Sequence, residues 1–211
     1  VKAMVDAVDV PVTVKHRIGI DKEESYAFVR DFVGTVADAG CRVFIVHARN
    51  AWLKGLSPKE NREIPPLRYE RVYQLKRDFP HLTIVLNGGV TTDEQIAEHL
   101  RHVDGVMLGR EAYHHPWMMS GWDARFLGGA PNPITPDEVE AAMVAYMQRE
   151  LVEDGTPWSA IARHMLGLHH GRRGARLWRQ VWSDHKLKPL PAAEVAALAR
   201  AHLASAAMAV A

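Results

Sequence analysis

Leu86-Asn87-Gly88-Gly89-Val90 ends one short apolar stretch, and Gly105-Val106-Met107-Leu108-Gly109-Arg110 ends the next. Each reads as a buried strand closed by glycine, with a helix to follow. Glycine lets a backbone come close to a ligand, because no Cβ stands in the way. Two such turns from neighbouring strands, one followed by Arg110, would gather backbone N–H groups and a guanidinium around a phosphate monoester. The loops after the last two strands are the usual phosphate site of a parallel (β/α) barrel. The two stretches therefore predict the end of such a barrel, holding a phosphorylated cofactor.

Upstream, residues 11–18 and 43–48 are two more short runs rich in Val and Ile, and residues 82–87 and 105–108 complete the set. Strands covered on both faces read in this way. Helical patterns over 23–39, 69–78 and 93–101 alternate with them, the last announced by Thr92 with Gln95 three residues on, a capping box. Such alternation predicts βαβ units and a parallel sheet. The breaker cluster Gly128-Gly129-Ala130-Pro131-Asn132-Pro133 reads as a linker. Thr135-Pro136-Asp137-Glu138 then opens a helix, and helical patterns follow over 137–153, 157–168, 175–183 and 192–207 without a further strand. The expected architecture is α/β: the C-terminal half of a (β/α)8 TIM barrel over residues 1–130, then a small all-helical domain over 131–211. The chain opens on Val1, not Met, in what reads as the middle of a helix, and four strands are half of a barrel of about 250 residues. A C-terminal piece of a longer protein is expected.

At 211 residues and 47% hydrophobic, the chain has material for one good core and a smaller second one. Its formal charge of +1 hides a skew: between Arg163 and Lys188 stand seven lysines and arginines against one acid, Asp184. A single cysteine excludes an internal disulfide and a cysteine-rich metal centre, and fits a reducing cytoplasm. No apolar run approaches the roughly 20 residues of a membrane span, and no signal peptide opens the sequence. His114-His115 and His169-His170 are adjacent pairs, a poor arrangement for one metal ion, so no metal site is expected.

Lys15 and His47 fall near the C-terminal ends of the first two strands, where barrel enzymes carry their chemistry. A lysine and a histidine beside a phosphate pocket suit an anionic aromatic cofactor such as reduced flavin. Taken singly, Lys15 reads as a rim lysine and His47 as a core histidine; taken with both glycine turns they read as cofactor contacts, and Lys15 could also form a Schiff base. Cys41 enters its strand from the opposite end and reads as a buried, inert thiol. The long loop over 48–66 mixes basic residues, amides and Trp52, which suits a polyanion carrying bases. Arg172, Arg176 and Arg179 are spaced for one helical face, an electrostatic footprint for phosphates.

Together, Val14-Lys15-His16-Arg17-Ile18-Gly19, Phe44-Ile45-Val46-His47-Ala48-Arg49, the loop over 56–66, Asn87-Gly88-Gly89 and Gly109-Arg110 resemble the tRNA-dihydrouridine synthases. The loop and the Met165-Leu166-Gly167-Leu168 and Gly174-Ala175-Arg176 segments resemble the bacterial A subfamily. The resemblance implies an FMN-bearing TIM barrel followed by a tRNA-binding helical domain, monomeric as the full-length enzyme. In that family NADPH reduces the flavin, which then reduces a uridine of the tRNA D-loop. By the same resemblance, Lys15 and His47 contact the flavin, and Asn87, Gly88, Gly89, Gly109 and Arg110 hold its phosphate. Lys59, Glu60, Arg62, Arg176 and Arg179 become the tRNA contacts. The family's proton-donating cysteine, in an Asn-x-x-Cys-Pro motif, has no match here, so no catalytic residue is assigned and no activity is expected of this stretch alone. Two rival readings stay open: an FMN-dependent barrel oxidoreductase acting on a small pyrimidine, and an inactive RNA-binding fragment.

Overall fold

The computed structural model describes residues 1–208. The chain divides into two compact units, Val1–Gly109 and Arg110–Ala211. In the first, four strands, β1 (Thr13–Arg17), β2 (Val43–His47), β3 (Thr83–Asn87) and β4 (Gly105–Met107), form one parallel sheet in the order β1-β2-β3-β4. Sequential order throughout is that of consecutive barrel units; a doubly wound sheet would reverse direction partway. The register sets Arg17 beside His47, His47 beside Asn87, and Asn87 beside Met107, so one residue of each strand stands in a level row at the C-terminal tips.

Alternation decides which side chains reach that row. Phe44 and Val46 of β2 and Ile84 and Leu86 of β3 are fully buried on one side. Val43, Ile45 and His47, with Val85 and Asn87, share the opposite and only half-buried side. Helices α2 (Tyr26–Asp38), α3 (Tyr69–Asp78) and α4 (Asp93–His99) follow β1, β2 and β3, and short helix α1 (Lys2–Val5) precedes them. Val29, Val33 and Ala37 of α2 and Val72 and Leu75 of α3 are buried, spaced three or four apart as one helical stripe requires. The expected capping box opens α4: Thr92 accepts from the Gln95 backbone while the Gln95 side chain reaches back.

The second unit contains helices and no strand among its described residues: α5 (Arg110–His114), α6 (Trp122–Phe126), α7 (Pro136–Glu153), α8 (Trp158–Ala162), α9 (Ala175–Ser183) and α10 (Ala192–Met208). Its core gathers Val144 and Met147 with Trp158, Trp178, Trp182, Val195 and Ala199, and Trp117 packs against them. The division after Gly109 comes ahead of the linker at which the sequence suggested one, residue 130. The physical reason is close packing of the intervening stretch within the helical unit: a Cβ on Gly167 would collide with the His114 carbonyl oxygen, an approach only glycine permits.

Two expectations for the helical unit need correction. The helix foreseen over 157–168 ends at Ala162, and the chain then turns through Gly171 and Gly174, whose φ values of +78° and +80° end regular helix. Arg172 therefore precedes α9 and does not share its face; its guanidinium donates to His169 Nδ1 at 2.9 Å and to Asp137 at 3.4 Å. One buried carboxylate organises the core. Glu140 of α7 has no exposed surface, and its Oε1 accepts from the indoles of Trp178 (2.9 Å) and Trp182 (3.0 Å). Arg172 can only donate, so His169 Nδ1 accepts and the ring proton sits on Nε2, 4.0 Å from Glu140 Oε2.

Candidate functional site

Lys15, His16, Arg17, His47, Arg62 and Asn87 line a cleft of about 200 Å³ at the strand tips. No carboxylate is among them. Lys15 Nζ donates to Asn87 Oδ1 at 3.2 Å, and Asn87 Nδ2 donates to the Met107 carbonyl at 2.7 Å. One amide thus holds the lysine while tying β3 to β4. Burial first, and then the charge of neighbouring Arg17, lower the Lys15 pKa below the ordinary lysine value.

The turn after β3 explains its two glycines. Gly88 and Gly89 both have positive φ, +120° and +68°. A Cβ on Gly88 would stand 3.0 Å from His47 Cδ2 and 3.1 Å from Leu67 Cδ2, so a bare backbone is what lets the histidine ring lie against the turn. Tyr69 clasps it by donating to the Gly88 carbonyl at 2.8 Å. Gly109 is different, because a Cβ there meets nothing within 4 Å. Arg110 is the next residue along, exposed, and the first of α5.

Arg17 is the residue whose work the sequence hid. Its guanidinium donates to the backbone carbonyls of Asn50 (2.7 Å) and Asn61 (2.8 Å), drawing both ends of the long loop to the tip of β1. Asn61 holds Trp52 at both its N–H and its carbonyl, and Arg49 donates to the carbonyls of Glu63 and Pro65. The loop is therefore a built element. Within it Lys59 and Arg62 are exposed, and Arg62 reaches the cleft. The Glu60 carboxylate is engaged locally: hydrogen bonds from the Ser57 side chain and then from its backbone N–H, at 2.8 Å, lower its pKa. Cys41 is fully buried at the N-terminal end of β2, its thiol directed at the Val12 and Val43 carbonyls.

Of the arginines on the helical unit, Arg176 and Arg179 are both exposed on α9, to one side of buried Ala175, Trp178 and Trp182. No cluster of His, Cys, Asp and Glu able to hold a metal ion occurs among the described residues, nor any helix long and apolar enough to cross a membrane.

The electropositive cleft and glycine turn fit one end of a flavin nucleotide, where negative charge gathers. Cofactor sites usually enclose roughly 300–1,000 Å³; at about 200 Å³ this cleft supplies part of such a site.

Residues 1–203 match the family model described as dihydrouridine synthase (Dus). The tRNA-dihydrouridine(20/20a) synthase of Salmonella typhimurium is 55% identical over 202 residues, 95% of this chain and 60% of that protein. The enzyme of that name from Escherichia coli (strain K12) is 55% identical, over 89% of this chain and 54% of its own. The one from Shewanella oneidensis is 51% identical, over 94% and 59%. The chain thus spans little more than half the length of these relatives. More distantly, a crystal structure of mandelate oxidase with benzoyl-formic acid matches 97% of this chain and 70% of its own, at a TM-score of 0.41 and 16% identity. With the family model covering nearly all of the sequence, the chain belongs to the dihydrouridine synthase family.

Proposed function

We propose that this chain carries the cofactor-binding strand tips and RNA-binding helices of an enzyme that reduces uridine to 5,6-dihydrouridine in the D-loop of tRNA. FMN is its resident cofactor and NADPH the reductant; the enzyme works as a monomer in the cytoplasm. The observation that supports this best is the family match combined with the carboxylate-free row of Lys15, His47 and Asn87 beside Gly88.

A bound, reduced flavin supplies hydride to C6 of the uracil ring. Lys15, steered by Asn87 Oδ1, presents its N–H donors to the N1 and C2-carbonyl end of the isoalloxazine. His47 lies level with Asn87 and reaches the ribityl chain. The Gly88-Gly89 turn, Gly109 and Arg110 take the phosphate, backbone amides and a guanidinium serving one anion. Lys59, Arg62, Arg176 and Arg179 hold the RNA mainly through its backbone, while the target base is extruded to be reached. Protonation at C5 requires an acid at the strand tips. The Cys41 thiol is buried at the other end of the sheet, so this chain alone is expected to bind FMN and tRNA without turnover.

Titration of the purified chain with FMN and with tRNA tests the reading; a chain that binds neither overturns it. Arg110→Ala is expected to weaken FMN binding about tenfold, the scale of one charge-assisted hydrogen bond. Unchanged flavin retention would remove Arg110 from the phosphate site. Arg176→Ala is expected to weaken tRNA binding and reduce the slope of log K against log salt by about one, as the loss of a single phosphate contact should. An unaltered slope would show that Arg176 meets no phosphate.

A further inference from the structure

Within the helical unit, a cleft of about 530 Å³ is lined by Tyr113, His115, Arg163, His164, His170 and Arg179, with no carboxylate in its wall. Nothing above uses it beyond Arg179. We infer that it is a nucleotide-holding subsite for an unstacked residue of single-stranded RNA, taking the phosphate on Arg163 and Arg179 and the base on the Tyr113 and His170 rings. The inference rests on the tRNA reading and adds the place and manner of one contact.

The wall is assembled to donate. Arg163 Nε donates to His164 Nε2 at 3.1 Å. A guanidinium cannot accept, so His164 carries its proton on Nδ1 and gives it to the Tyr113 hydroxyl, 2.8 Å away. The Tyr113 hydroxyl proton then remains for a ligand oxygen, as do the two Nη nitrogens of Arg163. Neither Arg163 nor Arg179 forms an ion pair among the described residues. An anion entering the cleft displaces no internal partner.

The aromatic part suits a base. Tyr113 is 52% exposed, and its ring is held edge-on to His114 and His164 at centroid separations of 5.6 and 6.0 Å. The His115 and His170 ring centroids lie 3.4 Å apart with the rings tilted by 33°, and Glu111 is hydrogen-bonded to His115. Rigid exposed rings beside arginines are how proteins hold splayed-out bases of single-stranded RNA; a duplex keeps its bases stacked and offers no free base face to a ring. The two walls approach closely where Gly167 sits against the His114 carbonyl, in a place any side chain would block. The volume also suits a nucleotide and exceeds the need of a lone phosphate.

The test compares Arg163→Gln and Tyr113→Ala with the parent chain, binding tRNA and an RNA duplex of similar charge over a range of salt, with FMN affinity and circular dichroism alongside. Arg163→Gln is expected to bind tRNA about tenfold more weakly, with a salt slope lower by about one. Tyr113→Ala is expected to lose about tenfold at unchanged slope, because it removes stacking and no charge. FMN affinity and helix content should stay at parental values in both, and duplex binding should change little with Tyr113→Ala. Parental tRNA affinity in both variants overturns the subsite while leaving the tRNA reading intact. Equal losses on tRNA and duplex with Tyr113→Ala overturn its assignment to an unstacked nucleotide. A parent chain that binds no tRNA overturns the subsite and the RNA half of the reading together, and retained FMN binding would then leave only the flavin half.

Discussion

Glu140→Ala is expected to destabilise the helical unit by roughly 3 kcal/mol, among the largest effects of any single substitution in it. The carboxylate is fully buried, and one oxygen accepts from two buried indoles. Alanine leaves both Trp178 and Trp182 N–H groups without an acceptor and opens a cavity between α7 and α9. Each uncompensated buried donor costs about 1–3 kcal/mol, and the cavity adds to that. Urea unfolding followed by tryptophan fluorescence checks it, since the reporters are the residues affected. A loss below about 1 kcal/mol would mean that the two indoles find other acceptors. Glu140→Gln keeps the acceptor and should restore most of the stability. It should also change the pH dependence. Burial raises the Glu140 pKa against the pull of the two indole donors, so the folded chain binds this proton more tightly than the unfolded chain. Its contribution to stability therefore falls as pH rises above the ordinary carboxylate range, and Gln at this position should remove that decline.

Gly88→Ala is expected to cost about 1–2 kcal/mol of stability and at least tenfold in FMN affinity. Two independent penalties meet at this residue. Its φ of +120° is one that a side chain disfavours. The new Cβ would also press on His47 Cδ2 at 3.0 Å and on Leu67 Cδ2 at 3.1 Å. The backbone cannot relax without loosening the Tyr69 hydroxyl from the Gly88 carbonyl. Pushing His47 aside disturbs the row it shares with Arg17 and Asn87. Flavin fluorescence quenching measures the affinity. Were Gly88→Ala to bind FMN like the parent, the turn after β3 would have no part in holding the cofactor.

Local patterns carried most of the fold. The bounds of α3 and α9 were readable from apolar periodicity, and the starts of α4 and α7 from Thr92 with Gln95 and Thr135 with Glu138, because helix caps are chemistry between near neighbours. Lys15 and His47 were legible because period-two alternation tells which side of a strand a residue takes. The stretch between Arg110 and Phe126 was not, since its short helical turns carry too few residues for a period to show. Arg172 was placed with Arg176 and Arg179 by spacing alone, and the positive φ of Gly174 breaks that spacing.

What remained hidden is long-range. That Arg17 clamps Asn50 and Asn61, that Glu140 serves two tryptophans some forty residues on, and that Tyr113 meets His164 are pairings between residues far apart in the chain. The sequence by itself determined the parallel βα order, the glycine turn and the residues at the strand tips, because strand alternation, capping and backbone freedom are properties of a few consecutive residues. Only the tertiary structure decided which carbonyls an arginine holds, which carboxylate is dehydrated, and which tyrosine keeps a proton to give. Those outcomes depend on which groups packing brings within 3 Å of one another and shuts away from water, and a buried polar group must take whatever partner it meets there.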